Sequence, residues 1–133
     1  MDTANQIKDM LELKVWAVVG ATDNPDKFGY KIFQLLKKSN YSVFPVNPGL
    51  DAVQGEKCYA SLADLPVKPE AVNFVVPPKV GEVIVNECAA LGIKNVWLQP
   101  GANADNVVDA AKKQGLNTIH SSCILVELRK QNS

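Results

Sequence analysis

Gly20-Ala21-Thr22, with Gly29 in the helical segment that follows, combines backbone amides, a hydroxyl and a helix start. That combination binds phosphate oxygens, and a pyrophosphate is its natural guest. The spacing is not Gly-x-Gly-x-x-Gly, because the second glycine comes late, so the usual dinucleotide signature is not met. A Gly-Ala turn that only allows close strand-to-helix packing stays open beside the phosphate reading. Val46-Asn47-Pro48 stands where an NAD site places a carboxylate for the ribose hydroxyls. Asn with its adjoining backbone can instead border an adenosine that carries an additional phosphate. Asp51, a little further on, keeps NAD as an alternative.

Other reactive residues give weaker signals. His120 is the single histidine, and with Ser121 it suggests a nucleophile and base, but no third orienting group is identifiable. The three cysteines, Cys58, Cys88 and Cys123, form no Cys-x-x-Cys pair, which fits a reducing compartment better than a disulfide framework or structural zinc. Cys88 falls on an apolar helical stripe and reads as an inert core residue, while Cys58 lies in an irregular loop without an assignable role. No catalytic centre and no metal site can be named.

The elements that would position these residues follow from periodicity and breakers. Thr3 to Gln6 has the form of a capping box opening a helix with Ile7, Met10 and Leu11 on one face. Val15 to Val19 is a continuous apolar run, as in a strand buried on both sides. Phe28, Ile32, Leu35 and Leu36 stripe a helix to about Ser39, with Asn24 and Pro25 as its expected cap and first turn. Tyr41 to Val46 is a second strand, halted by Asn47, Pro48 and Gly49. Residues 47–70 read as irregular, with one possible helical turn at Ser61 to Leu65. Ala71 to Val76 is a third strand, stopped by Pro77-Pro78. Val80, Ile84, Cys88 and Leu91 stripe a helix that Gly92 ends. Asn95 to Leu98 is a fourth strand, Asn103 is the expected cap of a helix to Gln114, and Leu116 to Ile119 is a fifth strand. The stretch from Ser122 to Leu128 reads as a short, semi-apolar tail.

This alternation predicts an α/β, Rossmann-type three-layer domain with a five-stranded parallel sheet, in the expected order 3-2-1-4-5. With 133 residues, 47 % of them apolar, the chain is expected to form one domain over 1–133, with an N-terminal helix over 1–13 and a core over 14–128. Fourteen basic residues balance fourteen acidic ones, so no broad field invites nucleic acid or an anionic membrane. No apolar run is long enough to span a bilayer and no secretory signal precedes the core, so a cytoplasmic protein is expected.

Val19-Gly20-Ala21-Thr22 with Pro25, Lys27 and Gly29, then Tyr41 and Pro45-Val46-Asn47-Pro48, occur in order along the chain. Val75-Val76-Pro77-Pro78, Trp97-Leu98-Gln99-Pro100-Gly101 and Cys123 complete the series. Together they make the chain resemble the small stand-alone coenzyme A binding proteins, which are similar to the nucleotide-binding domain of succinyl-CoA synthetase alpha subunits. The resemblance covers about Leu13 to Leu128. It implies CoA across the strand ends, with the pyrophosphate on Gly20, Ala21 and Thr22 and adenine near Val46, Asn47 and Pro48. Val76, Pro77 and Lys79 would flank the ligand, and Lys27, Phe28 and Gly29 would meet it at the helix start. Lys31 and Lys57 are further phosphate candidates. Gln99 and Gly101 would face the pantetheine arm. Cys123 would lie near its thiol, with which it would form a mixed disulfide under oxidising conditions.

The expected function is binding of CoA or acyl-CoA without an identifiable catalytic centre. The alternatives are an NAD(P)-binding oxidoreductase-like domain and a component of an acyl-CoA ligase. Ligases that resemble this domain use a further domain with a phosphorylated histidine, so that reading requires a partner chain. A homo-oligomer is compatible with the sequence, and no protein partner is specified by it.

Overall fold

The computed structural model describes residues 3–132. Its elements are α1 (Thr3–Leu11), β1 (Val15–Val19), α2 (Phe28–Lys38), β2 (Ser42–Val46), a hairpin of β3 (Ala52–Val53) and β4 (Glu56–Lys57), and a 3₁₀ turn at Leu62–Asp64. There follow β5 (Ala71–Phe74), α3 (Pro78–Leu91), β6 (Asn95–Leu98), α4 (Asp105–Lys113), β7 (Asn117–Ile119) and α5 (Ile124–Asn132). Among the described residues no helix is long and apolar enough to cross a membrane.

The five long strands form one parallel sheet, confirming the expected α/β class. Apolar side chains fill both of its faces. Trp16, Val18 and Trp97 pack with Ile32, Phe33 and Leu36 of α2 and Ile124 and Leu128 of α5. Ala17, Val72, Phe74 and Leu98 pack with Val85 and Cys88 of α3 and Val107 and Ala111 of α4. Alternate residues of one strand therefore enter different layers, and a run such as Val15–Val19 must be apolar throughout. Both buried indoles keep a partner: Trp16 Nε1 donates to the Leu13 carbonyl and Trp97 Nε1 to that of Ser122, each at 2.8 Å.

The strand order corrects the expectation. It is β2-β1-β5-β6-β7, so the third long strand lies beside the first and not outside the second. Pro45 in β2 has no N–H to offer a further strand, which suits it to an edge. Tyr59 covers that edge, donating its N–H to the Pro45 carbonyl at 3.0 Å while its own carbonyl accepts from Asn47 N–H at 2.9 Å. The chain must cross back over β1 to find an open edge.

Several local expectations also change. Gln6 does not close a capping box: its Nε2 donates to Asn117 Oδ1 (2.7 Å) and the Thr118 carbonyl (2.9 Å), tying α1 to β7. Asn24 does not cap α2, which begins only at Phe28 after Lys27. Its Oδ1 accepts from Asp26 N–H at 3.0 Å, which makes a local turn. Asn103 does not cap α4, whose cap is Ala104; its side chain accepts from Gly101 N–H and donates to the His120 carbonyl. The third strand ends at Phe74, freeing Val75 to approach Gly20. The stretch after Ser122 is a helix, and the irregular stretch 47–70 contains a hairpin whose turn residues, Gln54 and Gly55, both have positive φ.

Candidate functional site

Gly20 has φ +94°, and a Cβ on it would overlap the Val75 carbonyl oxygen, so only glycine lets the end of β1 press against the β5 exit. A Cβ on Gly29 would overlap the Gly20 carbonyl oxygen in the same way, so the late second glycine serves the docking of α2 on this loop. Asn47 joins the neighbouring loops: its Nδ2 donates to the Ala21 carbonyl at 2.8 Å and its Oδ1 accepts from Gly49 N–H at 2.9 Å. The β3–β4 hairpin supports the same corner from outside. Asp23 Oδ1 accepts from Gln54 N–H at 2.7 Å, and Gln54 Nε2 donates to the Tyr30 carbonyl.

The start of α2 leaves backbone donors open at this corner, behind the exposed carboxylates of Asp23 and Asp26. The cap of α2 is Lys27, without a side-chain hydrogen bond, and the first turn has no acidic residue. The N–H groups of Tyr30 and Lys31 already reach the Lys27 carbonyl, which leaves those of Phe28 and Gly29 as the orphan donors of the first turn. A cation at a helix N-terminus is itself unfavourable and becomes favourable when an anion sits between them. Helix α3 likewise begins without a side-chain cap or an acidic first turn, after Pro77. Lys27, Phe28, Lys31, Lys57 and Lys79 are all exposed; Lys57 stands over the Tyr59 ring at the far edge of β2.

Gly20, Val46, Asn47, Pro48 and Val76 come together in a slot of about 290 Å³ at the strand ends. The sequence reading missed its other wall: Ala60, Ser61 and Leu62 at the entry to the 3₁₀ turn, and Val80, Ile84 and Glu87 from α3. Val80 and Ile84, two residues of the stripe read from the sequence, face this slot. The fully buried stripe of α3 is Gly81, Val85 and Cys88, with Gly81 facing Val107 of α4. Two apolar stripes on one helix were the available signal. Beyond Val76 an open trough continues along Pro77 and Pro78 to Pro100, Gly101 and Ala102.

Gln99 and Cys123 do not join that surface as expected of arm-facing groups. Gln99 is only 2 % exposed; its Oε1 accepts from Ile124 N–H (2.9 Å) and Asn73 Nδ2 (3.3 Å), and its Nε2 lies 3.5 Å from Cys123 Sγ. Cys123 is half-buried against the core. Burial pushes the Cys58 thiol up, and burial with Glu87 nearby pushes Cys88 up to about 12, so both are inert thiols. His120 Nδ1 and Ser121 Oγ are 3.2 Å apart on the surface, and among the described residues no carboxylate orients the imidazole.

The profile of the CoA binding domain family matches residues 14–129. The chain belongs to that family. Among its relatives is the ADP-forming acetate–CoA ligase II subunit alpha of Pyrococcus furiosus, 32 % identical over 119 residues, covering 81 % of this chain. The chain spans only 26 % of that subunit. The protein YneT of Bacillus subtilis is 27 % identical over 122 residues, covering 91 % of this chain and 90 % of its own. A solved hypothetical protein from Pyrococcus horikoshii superposes with a TM-score of 0.91 at 28 % identity, covering 100 % of this chain and 94 % of its own. The strand-end corner, slot and trough all lie within the matched residues.

Proposed function

We propose that the protein binds coenzyme A or an acyl-CoA, as a single non-catalytic domain, along the carboxyl ends of its strands. The observation that carries this reading is an apolar slot lined by Gly20 and the first turns of α3, with the start of α2 docked on Gly20 through Gly29, both helix starts having neither acidic first-turn residues nor side-chain caps. A flat base fits the slot between Val46–Pro48 and Val76–Val80. The diphosphate takes the orphan amides of Phe28 and Gly29 beside Ala21 and Thr22, with Lys27 and Lys31 neutralising charge. The pantetheine arm follows the trough past Pro78 to Gly101. These residues fit the ligand in shape and charge, and CoA when bound supplies a thiol for carrying acyl groups.

An NAD site has less support, because the end of β2 carries no carboxylate and the Asn47 side chain is engaged by Ala21 and Gly49. Isothermal titration calorimetry with CoA, acetyl-CoA, dephospho-CoA, NAD and NADP tests the proposal. CoA and acetyl-CoA are expected to bind, dephospho-CoA more weakly, and NAD and NADP not to saturate; absence of CoA binding overturns it.

A role as a ligase component is favoured by the name of the Pyrococcus furiosus relative, which is a subunit. Turnover of acetyl-CoA, ADP and phosphate by this chain alone would replace the non-catalytic reading. The free cysteines suit a cytoplasmic protein.

A further inference from the structure

Glu87 is the one charged side chain among the described residues that line the slot. Its Oε1 accepts from Leu62 N–H at 3.3 Å, while its second carboxylate oxygen has no hydrogen-bond or ion-pair partner among the described residues. The walls beside it, from Val19, Val46, Val80 and Ile84, are apolar and read nothing. An ionised carboxylate only accepts hydrogen bonds. In a slot that holds a flat ring it rewards an amino group at the ring edge and repels a carbonyl there. The exocyclic position of a purine differs in this very respect, since adenine presents N6–H₂ and guanine O6.

We infer that Glu87 is the specificity-determining residue that selects a 6-amino purine over a 6-oxo purine, an inference that rests on the proposed CoA site. A merely structural carboxylate, capping the 3₁₀ turn through Leu62, would affect all ligands alike. The isosteric substitution Glu87→Gln separates the two roles. The amide must keep its oxygen on Leu62 N–H, which puts its NH₂ donor where the free carboxylate oxygen stood.

Calorimetry with CoA and with its deaminated 6-oxopurine analogue is the test. The natural protein is expected to bind CoA about tenfold or more tightly than the analogue. In Glu87→Gln, with circular dichroism unchanged, that preference is expected to vanish or reverse. Equal affinities in the natural protein overturn the inference whatever the variant does. An unchanged preference in Glu87→Gln also overturns it, while leaving the CoA site standing. Failure of the natural protein to bind CoA at all overturns both.

Discussion

Two helix starts at the same end of the sheet treat their backbone donors in opposite ways. At α5 a buried side chain takes the first donor: Gln99 Oε1 accepts from Ile124 N–H, Asn73 joins the same oxygen, and Cys123 rests against the Gln99 amide. At α2 no side chain caps the first turn, and a lysine stands at the cap. Position at a strand end is thus insufficient for a ligand site. What distinguishes the corners is whether a side chain of the fold accepts from the first donor of the helix, as Gln99 does at α5, or none does, as at α2.

The largest effect expected from breaking this contrast is at Gly20. Gly20→Ala sets a Cβ against the Val75 carbonyl at a positive φ, and it should lower unfolding free energy by about 3 kcal/mol in urea denaturation. Stability equal to the natural protein would show that the corner yields easily. At the other corner, Gln99→Leu strands Ile124 N–H and Asn73 Nδ2, with an expected loss of about 2 kcal/mol in the same measurement. Its CoA affinity should stay within about threefold, as suits a group that serves the fold. A large loss of affinity without a loss of stability would make the two corners equivalent. The smallest effect on folding is expected from Lys27→Ala, within about 0.5 kcal/mol. Calorimetry should nevertheless find CoA binding about tenfold weaker, with the gap shrinking as salt rises. An unchanged affinity would remove Lys27 from the phosphate site.

Much of the fold was legible because burial on both faces forces unbroken apolar runs such as Val15–Val19 and Ala71–Phe74, with Gly92 and Pro77-Pro78 marking boundaries. The helix after Ser122 was not, since a short stripe of Ile124, Leu125 and Leu128 carries little periodic signal. Capping at Thr3–Gln6, Asn24 and Asn103 was misread for a related reason. Polar side chains have several partners within reach: Gln6 reaches Asn117 across the fold, Asn24 turns to Asp26 two residues on, and Asn103 bridges Gly101 and His120. In the site, the loop residues from β1, β2 and β5 could be named from their motifs, but the wall from Ala60 to Leu62 and Glu87 could not.

From the order of its residues alone, this chain had already settled the layered α/β class and the loops at the strand ends, because strand burial and chain breakers act over a few neighbouring positions. Tertiary structure alone decided the strand order, the opposite wall of the slot and the inward turn of Gln99. Each of these depends on which distant groups meet: Tyr59 on the edge at Pro45, the 3₁₀ turn against α3, and Ile124 N–H against a buried amide. Pairing across such sequence distances leaves no local period to read.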